Sequence, residues 1–199
     1  MTVKIFTIFG TAMDYLIICA VAFLGSGLTF FSGFGLGTIL VPVFAIFFPI
    51  ELAIALTAIV HFLNNLFKLT LVGKRADLSI VLRFGLPSLL ASFAGAWLLT
   101  RISGQEPVYS YFISGTEFFI TPVKLTVAIL LVFFVLFDLV PRLANLAFDK
   151  KYMVAGGLLS GFFGGLSGHQ GALRSAFLIK AQLSKEMFVA TGVMIACLV

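Results

Sequence analysis

Charge is what this chain has least of. Of its 199 residues only 8 are acidic and 13 basic, so 11% are charged. A soluble domain carries about a quarter. With 61% hydrophobic residues beside so little charge, the composition excludes an ordinary soluble globule and points to a bilayer. Cysteine is equally scarce. Cys19 and Cys197 both fall within apolar runs and read as small buried hydrophobes, so neither a disulfide framework nor a cysteine metal site is expected. The motifs of catalysis are missing too. There is no HExxH, no phosphate-binding glycine loop and no close carboxylate pair with metal-ligand spacing. Ser32 or Ser167 beside a histidine lacks a third partner for nucleophilic chemistry. No enzyme activity, cofactor or metal is therefore expected.

The net charge of +5 would suggest nucleic acid in a soluble protein. Here the basic residues lie between apolar runs and no basic cluster is interleaved with exposed aromatics, so nucleic acid is excluded as a partner and the lipid bilayer takes its place. Lys4 precedes an apolar stretch without a convincing cleavage site, so no signal peptide is expected.

What the chain does have is long apolar runs and 24 phenylalanines. Segments 52–72, 80–100 and 118–140 each match the ~20 residues of a spanning helix. Segments 15–49 and 152–184 do not. As a straight helix each would be roughly 50 Å long against a hydrocarbon core of about 30 Å. Each has a glycine-rich break, "SGFGLGT" at 32–38 and "SGHQGAL" at 167–173, and is read as two shortened arms meeting at a tip inside the membrane. Lys74, Arg75 and Arg83 mark one connection and Arg142, Lys150 and Lys151 another, which places both in the cytoplasm. The intervening loop has Arg101 against Glu106 and Glu117 and is placed outside.

The two broken segments align with each other. A shift of 135 residues (167 − 32) lays Ser32-Gly33 on Ser167-Gly168, Glu51 on Glu186 and Ala55 on Ala190. If each broken segment leaves on the side it entered, three spans separate them and the repeat is inverted, a frequent transporter plan. If each crosses once, the repeat is parallel. The inverted arrangement is favoured. The fold expected is an all-α integral membrane protein of two related repeats, each opening with a Gly-broken, re-entrant helical segment. Residues 1–13 form an extension, 14–140 the first repeat, 141–151 a cytoplasmic connection and 152–199 an incomplete second repeat. The apolar ending "GVMIACLV" suggests a fragment, or a short chain that completes itself as a homo-oligomer.

The breaks hold the residues suited to binding. Beyond each tip a helical arm begins, near Thr38 and near Ala172, and its free N–H groups and positive dipole end attract anions. Arg174 lies one turn into the second arm, where a charge is costly and its planar fork suits carboxylate, phosphate or sulfonate oxygens. Gln170 can donate two hydrogen bonds, and His169 can donate one or carry a proton. Gly168 and Gly171 shape the second tip; Ser32, Gly33, Gly35, Gly37 and Thr38 shape the first. His61, Asn64, Asn65 and Lys68 occur at helical spacings, so three of them share a face that belongs toward the protein interior. Interhelical hydrogen bonding would explain that stripe without function, and Lys68 would then snorkel toward the Lys74-Arg75 end. Glu51 and Glu186 open helices, where a carboxylate complements the dipole.

"SGFGLGTILVP" followed by "ELAIALTAIVHFLNN", with the second break "SGHQGALRSAFL", resembles the TauE/SafE sulfite exporter family over about residues 14–199. The GHQGALRS form of the second break looks typical of one branch of it. The resemblance implies a multi-pass transporter of the plasma or inner membrane whose partner is a small anion such as sulfite, thiosulfate or an organosulfonate. It also implies a longer second half. The rival readings are a non-transporting structural membrane subunit and, further away, an intramembrane enzyme.

Overall fold

The computed structural model describes residues 12–30, 35–144 and 146–199, and it is mostly helical. Helix α1, Ala12–Leu28, and helix α2, Leu36–Phe47, are the arms of the first break. At 1.5 Å per residue, the 12 residues of α2 reach only about 18 Å, short of a hydrocarbon core. Helix α3 runs from Ile50 to Val72, and its apolar stretch Ile50–Arg75 is long enough to cross a membrane. Helix α4, Leu78–Ser103, is equally long and contains a π-turn at Val81–Gly85. Asp77 starts it, its Oδ1 accepting from the Ile80 amide at 3.1 Å. Leu63, Phe67 and Leu71 on α3 and Leu90, Phe93 and Trp97 on α4 are exposed, as lipid-facing side chains should be.

The loop after α4 departs from the all-α expectation. Strands β1, Tyr109–Ile113, and β2, Thr116–Ile120, pair as an antiparallel hairpin. Ser114 and Gly115 both have positive φ, 51° and 80°, the backbone of a two-residue hairpin turn. The third span therefore begins not at 118 but with helix α5, Pro122–Leu139, where Thr121 caps and Pro122 fits the first helical turn.

Helices α6, Met153–Ser167, and α7, Gly171–Leu178, are the arms of the second break, and helix α8, Lys185–Leu198, follows. Three glycines one turn apart on α6, Gly157, Gly161 and Gly165, lie against the backbone carbonyls of Phe84, Ser88 and Ser92 on α4. No side chain fits between, so the two helices meet backbone to backbone, as small residues permit in membranes. This close packing holds α6, the first arm of the second break, against α4.

Contacts at the helix ends give the chain's direction. The Phe148 amide, just before α6, donates to the Ala176 carbonyl on α7 at 3.0 Å, and Lys180 pairs with Asp149. Arms α6 and α7 thus fold back on each other. Arg75, at the end of α3, pairs with Glu186 at the start of α8, and the Asp77 amide donates to Thr191 Oγ1 at 2.9 Å. Helices α3 and α8 pack together and run in opposite directions. Helix starts obey the shift seen in the sequence: α2 and α7 begin 135 residues apart (171 − 36), as do α3 and α8 (185 − 50).

Candidate functional site

The two breaks meet. Gly35, with φ 92°, opens α2, and Gly168, with φ 76°, closes α6, left-handed conformations that glycine adopts without strain. Gly37 lies so close to the other tip that a Cβ there would stand 2.6 Å from the Gly168 carbonyl oxygen. A cavity of ≈ 20 Å³ lies at this junction, lined by Gly35, Gly37 and Thr38 from the first tip and by Gly168 to Ala172 from the second. His61 of α3 and Phe134 of α5 complete its wall. Helices α2 and α7 both begin here, at Leu36 and Gly171, so two sets of free amides and two positive dipole ends converge on one space.

The hydrogen bonds fix the state of His61. The Asn65 side-chain nitrogen lies 2.8 Å from the His61 carbonyl oxygen, which only accepts, and 2.9 Å from the His61 Nδ1. An amide nitrogen only donates, so Nδ1 is an acceptor and the ring's hydrogen sits on Nε2. His61 therefore brings an N–H donor to the cavity wall. Asn65, buried, acts through it; Asn64 is half-buried and does not line the cavity.

The second tip is held from beneath. Ser160, fully buried, donates to the Gln170 carbonyl at 3.1 Å, and the same oxygen accepts from the Arg174 amide at 3.0 Å. His169 stacks on Phe134, rings 5.8 Å apart and 6° from parallel. Both His169 and Gln170 are buried.

Arg174 is 3% exposed and is not among the residues that line the junction cavity. It lines a neighbouring cavity, also ≈ 20 Å³, between α7 and α8 with Ser175, Phe188 and Gly192. Among the described residues no carboxylate lines either cavity. Lys68 differs from its sequence expectation. It is 4% exposed and donates to the Thr29 carbonyl at 3.0 Å, with its ammonium 5.2 Å from the Phe30 ring. A buried acceptor at the end of α1 holds it better than the distant headgroups, so it anchors the first break and does not snorkel. Ser32 and Gly33 lie outside the described residues.

Three contributors had not been singled out as site residues: Phe134, Ala172 and Lys68 as an anchor. Lys68 had a signal in its spacing from Asn64 and Asn65. Phe134 had none, being one of 24 phenylalanines.

Residues 18–199, a range that takes in both breaks and all the helices after them, match the family model described as sulfite exporter TauE/SafE. The chain belongs to the TauE/SafE family. Membership makes it a membrane transport protein, and the glycine tips of a TauE/SafE chain are here the two halves of one junction. No curated protein and no solved structure matches the chain.

Proposed function

We propose that this TauE/SafE chain is a secondary transporter, working as an exporter, of small sulfur anions: sulfite, thiosulfate or organosulfonates. The observation that carries the reading is the meeting of the two breaks, Gly37 against Gly168, around a cavity faced by two helix N-termini and lined by no carboxylate among the described residues. Oxygens of the anion take hydrogen bonds from the His61 Nε2–H, the Thr38 hydroxyl, the Gln170 amide and the tip amides. Arg174 contributes positive charge from the adjoining cavity, and Lys68 keeps the first tip in place.

The chain is multi-pass in the cell membrane and carries out no chemical conversion of what it moves. Its repeats are inverted: α2 and α3 correspond to α7 and α8 at the common 135-residue shift, while α3 and α8 run in opposite directions. Each broken pair is re-entrant, a reading supported by the contact of Phe148 with Ala176 across the open end of the second pair. A cavity of ≈ 20 Å³ holds about one water. An oxyanion enters only when the tips part, which is the opening that rocking one repeat against the other supplies.

Thermal unfolding of the purified chain in detergent tests this with sulfite, thiosulfate, taurine, acetate and chloride at matched ionic strength. Sulfur anions are expected to raise the midpoint selectively, and His61→Ala and Arg174→Ala to abolish the rise while still melting cooperatively. A folded chain that no anion discriminates overturns the substrate class. Mutants that fail to assemble, with a wild type indifferent to anions, support the structural-subunit reading.

A further inference from the structure

His169 presents the wrong face to an anion. Its Nδ1 lies 2.7 Å from the Ser167 carbonyl oxygen. A carbonyl only accepts, so Nδ1 carries the hydrogen and Nε2 of the neutral ring is a bare lone pair. That Nε2 is buried and has no hydrogen-bond partner among the described residues. The Gln170 Oε1, another acceptor, is in the same condition one residue along. His169 and Gln170, which carry these two buried and unpartnered acceptors, both line the junction cavity, where the His61 N–H and the helix amides supply donors. A fully ionised anion satisfies the donors and is repelled by the lone pairs. Something must bring hydrogen to the acceptors.

We propose that the junction binds its anion together with one proton, and that the proton resides on Nε2 of His169. The inference rests on the anion-site reading above. The buffer acid, through hydronium, gives up a proton to Nε2: its bond to that proton breaks, an N–H bond forms, the conjugate base stays in solution, and no bond in the anion changes. Nδ1–H stays on Ser167, while the new Nε2–H becomes a donor for a ligand oxygen. The ring of Phe134, parallel at 5.8 Å, holds the imidazole in this orientation.

The surrounding charges make the two events depend on each other. From α3 the nearby ionisable groups are His61 and, two turns on, Lys68; from α7 there is Arg174. Helix α2 has no ionisable residue, α6 has none, and α5 has Lys124 and Asp138 near its two ends. A lone proton on His169 adds a cation to a basic neighbourhood; a lone anion meets lone pairs. Together they neutralise each other, so each raises the affinity for the other by the same factor.

The test uses the full chain in nanodiscs and methanesulfonate, which stays ionised throughout the interval of about pH 5 to 8 in which histidine titrates. Calorimetry in two buffers of different ionisation enthalpy measures proton uptake with affinity. The wild type is expected to take up one proton per anion and to lose about tenfold in affinity per pH unit on the alkaline limb. His169→Asn and His169→Gln are expected to bind weakly with a flat pH profile, and His61→Asn to keep the slope. Tight wild-type binding without proton uptake overturns the inference alone, as does a slope that survives in both His169 variants or disappears with His61→Asn. Sulfite provides a second arm, because it acquires its own proton in this interval. Proton linkage with sulfite but not methanesulfonate means that the hydrogen arrives on the ligand, and His169 loses the assignment. A folded chain that binds no anion at any pH overturns the site reading, and this inference falls with it.

Discussion

The two breaks meet at one junction with different equipment. The second carries its own chemistry: His169 and Gln170 at the tip and Arg174 one turn into α7, following a helix, α6, that is packed backbone to backbone against α4. In its described residues the first break has glycines and Thr38 but no ionisable side chain, and it is anchored by Lys68 reaching from α3 to the Thr29 carbonyl. The second break is held through α6 by backbone-to-backbone packing, and the first by side-chain packing of α2 through Leu36, Leu40 and Phe44 together with the Lys68 hydrogen bond. Backbone-to-backbone packing resists displacement, whereas one buried charge can release a segment when its acceptor moves. If the Lys68 hydrogen bond is the weaker of the two restraints, the first break is the moving partner and the second the platform.

The sharpest way to break the contrast is to loosen the platform. Gly161→Leu drives a side chain into the Ser88 backbone, and the expected result is loss of folded protein or destabilisation by ~3 kcal/mol. Gly27→Ala is the control, since a Cβ there meets nothing within 4 Å, and it should melt like the wild type or slightly above. Yield and melting midpoint in detergent check both.

Next comes the anchor of the first tip. Lys68→Met keeps most of the volume and removes the hydrogen bond to Thr29, so about tenfold weaker anion binding is expected, worth ~1.4 kcal/mol. Hydrogen exchange should rise at residues 29–38 and stay unchanged at 164–172. Equal loosening of both tips would remove the distinction between platform and moving partner.

The smallest effect belongs to the surface. Arg75 and Glu186 pair with side chains 59% and 67% exposed, so Glu186→Gln should cost at most ~0.5 kcal/mol and leave binding unchanged. A large loss would mean that this end contact holds the repeats together.

Much of this was legible before any coordinates. Glycine breaks in runs too long for one span pointed to interrupted helices, because helix length and bilayer thickness leave few alternatives. The arms were expected near Thr38 and Ala172, and they start at Leu36 and Gly171. The hairpin was masked by hydrophobicity: Phe118–Ile120 continue without a break into the apolar run 118–140, which hides β2, while β1 and the Ser114-Gly115 turn lie in the connection before it. The place of Lys68 was hidden because its acceptor is a backbone carbonyl 39 residues away, which no spacing rule reports. The division of His169 from Arg174 between two cavities was also unreadable, since it depends on how α7 is rotated between α6 and α8.

The central claim is that one anion occupies a site made jointly by both tips. Protection of cysteines tests it most directly: Thr38→Cys and Ala172→Cys, one at a time, in a chain whose Cys19 and Cys197 are replaced by serine. Labelling by a charged methanethiosulfonate reagent is followed against rising methanesulfonate. The account predicts that both positions are protected with the same midpoint concentration. Protection of one position alone, or different midpoints at the two, would contradict a shared site.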